Sequence, residues 1–168
     1  AYPNMPICLL PNSTPISVIE GRKKLNETLQ ILYAGTYAAK EGVTFLIEGV
    51  KQAIDNGCKC KLVLLGKAPQ TLRDKYGNET YIDFKGFVSD EELYQLQMES
   101  DVLAMVRTNS IFANYGFPFK LSEYLAIGNI VLSTKVSDVE KYLTDKKNAY
   151  LIEPENSKAV CDAIMHIA

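Results

Sequence analysis

From Leu29 onward, short apolar runs alternate with apolar stripes at helical spacing, and few architectures accept that alternation. Leu29–Ala34 is a run that stops at Gly35. Val43, Leu46, Ile47, Val50, Ala53 and Ile54 then trace one helical face that ends at Asn56-Gly57. Lys61-Leu62-Val63-Leu64-Leu65-Gly66 is the next run, and a helix is expected after Pro69, closing near Tyr76-Gly77. A brief strand over 81–84 leads to Gly86, and Ser89 with Glu92 forms a capping box for a helix carrying Leu93 and Leu96. Beyond it the pattern gives a strand over 102–106, a polar and aromatic loop over 107–117, and a helix and strand within 115–134. A helix over 136–143, a strand over 149–152 and a helix over Ser157–Ile167 complete it. Continuous apolar runs, rather than period-two alternation, mark strands covered on both faces. The pattern predicts an α/β, Rossmann-like, doubly wound domain with a mainly parallel six-stranded sheet.

The first 28 residues do not share this pattern. They hold Pro3, Pro6, Pro11 and Pro15 and a charged run over 20–24, with Ile7-Cys8-Leu9-Leu10 as an isolated candidate strand. They read as a linker or the tail of another domain, with residues 29–168 as the folded unit. At 168 residues the chain is long enough for one domain with a sizeable core. A net charge of -2 argues against a nucleic-acid partner, which would meet a basic stripe. No apolar run reaches bilayer length, so a cytoplasmic protein is expected, or one held at the inner membrane face through regions absent here. Cys58 and Cys60 have the wrong spacing for a zinc hairpin and read, with Cys8 and Cys161, as thiols in a reducing compartment. His166 is the only histidine and lies two residues from the end, which disfavours a histidine triad; no metal site and no cofactor are implied.

Residues 115–134, YGFPFKLSEYLAIGNIVLST, carry the most chemistry. Gly116 and Pro118 set up a helix entry, Leu121, Tyr124 and Leu125 fall on one face, and Gly128 supplies a left-handed exit. Lys120 and Glu123 stand three apart, on one side of the helix start. Taken alone, they read first as an ordinary solvated face. A cation beside free helix amides nevertheless suits a phosphate, and a carboxylate one turn on suits a pair of sugar hydroxyls. In open parallel sheets ligands gather beyond the carboxyl ends of the strands. Four loops meet there: 35–42, 66–69, 86–88 and 107–120, three of them opening on glycine. Together the helix and the loops outline a nucleotide-sugar site.

The chain resembles the C-terminal, donor-binding domain of retaining glycosyltransferases of two-domain GT-B architecture, the superfamily of glycogen synthase and many bacterial polysaccharide transferases. Leu10-Pro11-Asn12 resembles the family's interdomain hinge, and Ile31-Leu32-Tyr33-Ala34-Gly35 its first strand and turn. Asp83-Phe84-Lys85-Gly86-Phe87-Val88, followed by Glu92-Leu93, is similar to its base-recognition loop and next helix. The most specific match runs from Pro118 through Lys120, Glu123, Tyr124, Leu125 and Ala126 to Gly128. The resemblance implies that Glu123 binds the ribose hydroxyls, while Lys120 and the amides after Phe117 face the diphosphate. It implies base recognition by backbone near Gly86, Phe87 and Val88, and close approach of Gly35 to phosphates or sugar. Three positions depart from the family. Tyr115 stands where the first glutamate of the paired motif would touch the donor sugar, Thr36 replaces an arginine, and Glu41 replaces a lysine beside Lys40. Lys40, Lys120 and Arg107 are the cations left to stabilise a departing diphosphate, although Lys40 reads equally well as a solvated loop lysine.

The implied function is retaining, metal-independent transfer of a hexose from a nucleoside-diphosphate sugar to a glycan or lipid-linked acceptor. The acceptor site would lie on an N-terminal domain absent from this chain. The alternative is a catalytically degenerate nucleotide-sugar-binding or scaffold module, favoured by Tyr115, Thr36 and Glu41. A magnesium-dependent signalling receiver would need acidic residues at the first strand, and a dinucleotide oxidoreductase a spaced three-glycine turn over 35–42; neither is present.

Overall fold

A computed structural model describes residues 24–168. The isolated strand at 7–10, the hinge at 10–12, Cys8 and most of the linker segment lie outside the described residues. Six strands form one parallel sheet: β1 Leu29–Ala34, β2 Cys60–Leu65, β3 Ile82–Gly86, β4 Val102–Met105, β5 Ile130–Thr134 and β6 Tyr150–Ile152. Their order is β3-β2-β1-β4-β5-β6, so the chain winds outward from β1 in one direction and from β4 in the other. The switch lies between β1 and β4, where the loops leaving the two strands part and open a crevice.

Between the strands run α1 Val43–Asp55, α2 Gln70–Tyr76, α3 Asp90–Glu99, α4 Ile111–Asn114, α5 Lys120–Ile127 and the terminal α6 Ser157–Ile167. The period-two geometry of a strand divides the core in two. Ile31 and Tyr33 of β1, with Leu62 and Leu64 of β2, face α1, α2 and α6. Leu32 and Ala34, with Val63 and Leu65, face α3 and α5. Both faces are covered, which is why the strands read as unbroken apolar runs.

Three segments differ from the pattern expected of the sequence. Residues 136–143 form only a 3-10 turn at Val139–Lys141. Ser137 has φ 61, which no helix accommodates, although Val136, Val139 and Leu143 are buried as a helical stripe would be. Residues 107–117 are not all loop, because Ser110 accepts the Ala113 N–H at 3.3 Å and caps α4. On α5 the buried face is Leu121, Tyr124 and Ile127, while Leu125 is exposed. The exit at Gly128 is left-handed, φ 79, as expected. Cys58, Cys60 and Cys161 are free and buried, and burial pushes the Cys60 thiol up to about 12.

Candidate functional site

Three strands end in glycine or beside it, and backbone hydrogen bonds stitch those ends together. The Gly35 N–H donates to Leu65 O at 3.4 Å, and the Gly66 N–H donates to Gly86 O at 2.7 Å. Gly66 has φ 100, and a Cβ there would stand 2.1 Å from Gly35 O, so only glycine lets the exits of β1 and β2 lie this close. The result is a floor of bare backbone at the carboxyl edge of the sheet.

Over that floor opens a pocket of about 420 Å³. It gathers Gly35 and Thr36 after β1, Gly86, Phe87 and Val88 at and after β3, and Lys120 and Glu123 of α5. Those seven residues are all expected from the sequence, and they come from three separate stretches of chain. Tyr37, Lys67, Leu93 and Gln97 also line it. Tyr37 and Lys67 lie in the expected loops 35–42 and 66–69, and Leu93 in the helix after the base-recognition match; Gln97 has no signal in sequence. A second groove of about 450 Å³ runs along β6 and α6 past Lys135, Tyr150 and His166, but at the outer edge of the sheet rather than at its switch.

Lys120 is the pocket's central charge. Its ammonium donates to Ala34 O at 2.5 Å and lies 5.3 Å from the centroid of the Tyr33 ring. Burial holds its pKa below the ordinary lysine value; Glu41 and Glu123 oppose the shift, while Arg107 and Lys40 reinforce it. A Cβ on Gly35 would fall 2.5 Å from the Lys120 Nζ, so the bare glycine is what admits the ammonium. Tyr33 donates to Thr36 O at 2.5 Å, and the fully buried Tyr124 ends beside the Ala34 backbone. Burial raises the pKa of both phenols, and that of Tyr37 to about 12, so none is a base near neutral pH. Glu123 is exposed one turn along α5, and the helix opens at Phe119 without a side-chain cap.

The remaining expected residues stand around the pocket rather than on its wall. Lys40 lies in a 3-10 turn at Ala39–Glu41, its Nζ 3.8 Å from the Glu41 carboxylate, and its carbonyl accepts the Thr108 N–H at 2.8 Å. Arg107 is buried, and its guanidinium donates to the Gly116 carbonyl. Tyr115 is 89% exposed. Phe117 packs edge-on against Tyr142 at 5.3 Å, and the buried Pro118 accepts the Leu121 N–H at 3.0 Å. Among the described residues no three His, Cys, Asp or Glu side chains converge as a metal cluster, and no helix is long and apolar enough to cross a membrane.

The family model for glycosyl transferases group 1 matches residues 28–168. The chain belongs to the group 1 glycosyltransferases. A curated relative is the putative colanic acid biosynthesis glycosyltransferase WcaL of Escherichia coli, 23% identical over 142 residues. That match covers 81% of this chain and 35% of the relative, so the chain spans about a third of its length. Among solved structures, Anabaena HepE in complex with UDP-glucose has the same fold at TM-score 0.68 and 20% identity, covering 82% of this chain and 38% of HepE. The C-terminal domain of the group 1 glycosyltransferase LpcC of Francisella tularensis superposes at TM-score 0.68 and 19% identity, covering 85% of this chain and 76% of that one. This group 1 chain therefore has the Rossmann-like fold of GT-B glycosyltransferases.

Proposed function

We propose that this chain is the donor half of a glycosyltransferase, binding a nucleoside-diphosphate sugar in the pocket between Gly35, Gly86 and Lys120. The observation that carries the reading is the convergence of the seven expected residues on one pocket at the carboxyl ends of β1, β2 and β3. In this reading the base lies at Gly86, Phe87 and Val88, where the exposed Phe87 offers a ring face. The ribose hydroxyls donate to the Glu123 carboxylate. The diphosphate lies over the bare Gly35 backbone beside Lys120, with the uncapped N-terminus of α5 adding partial positive charge. Transfer breaks the bond from the sugar's anomeric carbon to the diphosphate and forms one to an acceptor hydroxyl with retention, the hydroxyl proton passing to the departing diphosphate. The Lys120 ammonium and the α5 amides, rather than a metal ion, stabilise the leaving group. A glycan or lipid-linked acceptor and its binding residues belong to an N-terminal domain outside this chain.

A second reading, a degenerate module that binds donor without transferring sugar, is favoured by Tyr115 and Lys40. The first is an exposed phenol outside the pocket, and the second is turned toward Glu41. Titration calorimetry against UDP, GDP, ADP and CMP tests the donor site. Selective binding of one nucleoside diphosphate, weakened about tenfold by Glu123→Ala, is the expected result. Absence of binding to any of the four overturns it. A fusion carrying the preceding domain of a relative then separates the readings, because only the transferase hydrolyses or transfers the donor sugar.

A further inference from the structure

Among the described residues two cations line the pocket, Lys67 and Lys120, and Lys120 is already engaged. Arg107 is buried and held by the Gly116 carbonyl. Lys40 lies off the pocket wall, near Glu41. Lys120 is inside, but its ammonium is bonded to Ala34 O and stacked over Tyr33. Lys67 lines the same pocket and is exposed, and among the described residues no ion pair or side-chain hydrogen bond holds it.

Its backbone, by contrast, is fixed. Lys67 follows Gly66, whose N–H is bonded to Gly86 O at 2.7 Å and whose Cα lies too close to Gly35 O to carry a side chain. Lys67 therefore leaves a rigid seam in the middle of the pocket floor. The β1 exit lies to one side of it and the β3 exit to the other. A flexible four-carbon stem on a fixed base sweeps the mouth of the pocket.

We propose that Lys67 is an anion-binding residue of this pocket, closing on the phosphates of the bound nucleotide from the β2 side. The proposal rests on the donor-site reading. Lys120 must leave the Ala34 carbonyl to bond a phosphate, so its recruitment exchanges one hydrogen bond for another. Lys67 gives up only water, and its ammonium forms a charge-assisted hydrogen bond of the stronger kind. It also supplies the second positive charge that a diphosphate calls for, where Thr36 and Glu41 supply none.

The test is calorimetric titration of wild type, Lys67→Ala and Lys67→Arg with the tightest binder among UDP, GDP and ADP, at low and high salt. Lys67→Ala is expected to weaken binding about tenfold at low salt, less at high salt, with Lys67→Arg close to wild type. The melting temperature stays unchanged, because the side chain is exposed. Equal affinity of all three proteins overturns the role of Lys67 and leaves the donor site standing. Failure of wild type to bind any of the diphosphates overturns both.

Discussion

A methyl group added at Gly35 would stand 2.5 Å from the Lys120 ammonium and force it off the Ala34 carbonyl. Gly35→Ala is therefore expected to lower stability by about 1 kcal/mol, seen as a lower denaturation midpoint at unchanged slope. It should also weaken nucleotide binding. Lys120 adds a pH signature. Its folded pKa lies below the unfolded one, so between the two the unfolded chain holds a proton the folded chain has released. Stability from this group thus rises with pH across that alkaline window. A bound diphosphate favours the charged ammonium, so binding in the same window should take up protons and weaken as pH rises. Calorimetry in buffers of different ionisation enthalpy measures that uptake, and Lys120→Met should abolish it. Lys120 and Glu123 were legible because three-residue spacing fixes their relation within one helix. The hold of Lys120 on Ala34 was not, since 86 residues separate them.

Helix α6 lies against α1 because α1 offers a gap at Gly49. A Cβ there would meet Val160 Cβ at 2.4 Å, with no flexible end to move aside. Gly49→Ala gains about 1 kcal/mol of helix propensity and loses about 1–3 kcal/mol to overpacking. Net destabilisation is expected, read by thermal melts. At the start of α3, Ser89 Oγ accepts the Glu92 N–H at 3.2 Å, so Ser89→Ala should cost about 1 kcal/mol. That cap was legible as a local motif, and the strands as unbroken apolar runs. Residues 136–143 misled because buried positions at helical spacing also arise in an irregular segment, and Ser137 gives no sign of its positive φ. α4 is one turn long, too short to leave a periodic stripe.

At the scale of the molecule the alternation fixed the fold class, while the strand order came only from the structure. One tie that sets that order is Asp101, buried at the start of β4. Its carboxylate accepts the Gln30 N–H at 2.8 Å, the Asn26 N–H at 3.1 Å and the Asn26 side-chain amide at 2.9 Å. It joins β4 to the strand that departs in the other direction, at the end of the sheet opposite the pocket. Asp101→Ala leaves part-buried N–H groups without their acceptor and should cost about 1–2 kcal/mol in denaturant unfolding. The central claim, that the pocket at the strand exits holds the donor nucleotide, is tested most directly by mapping amide chemical shifts during titration with UDP, GDP or ADP. Shifts at Gly35, Gly66, Gly86, Val88 and Lys120, with Tyr150 and His166 unmoved, are the predicted result. Shifts gathered instead along the β6–α6 groove, or none at the strand exits, would contradict it.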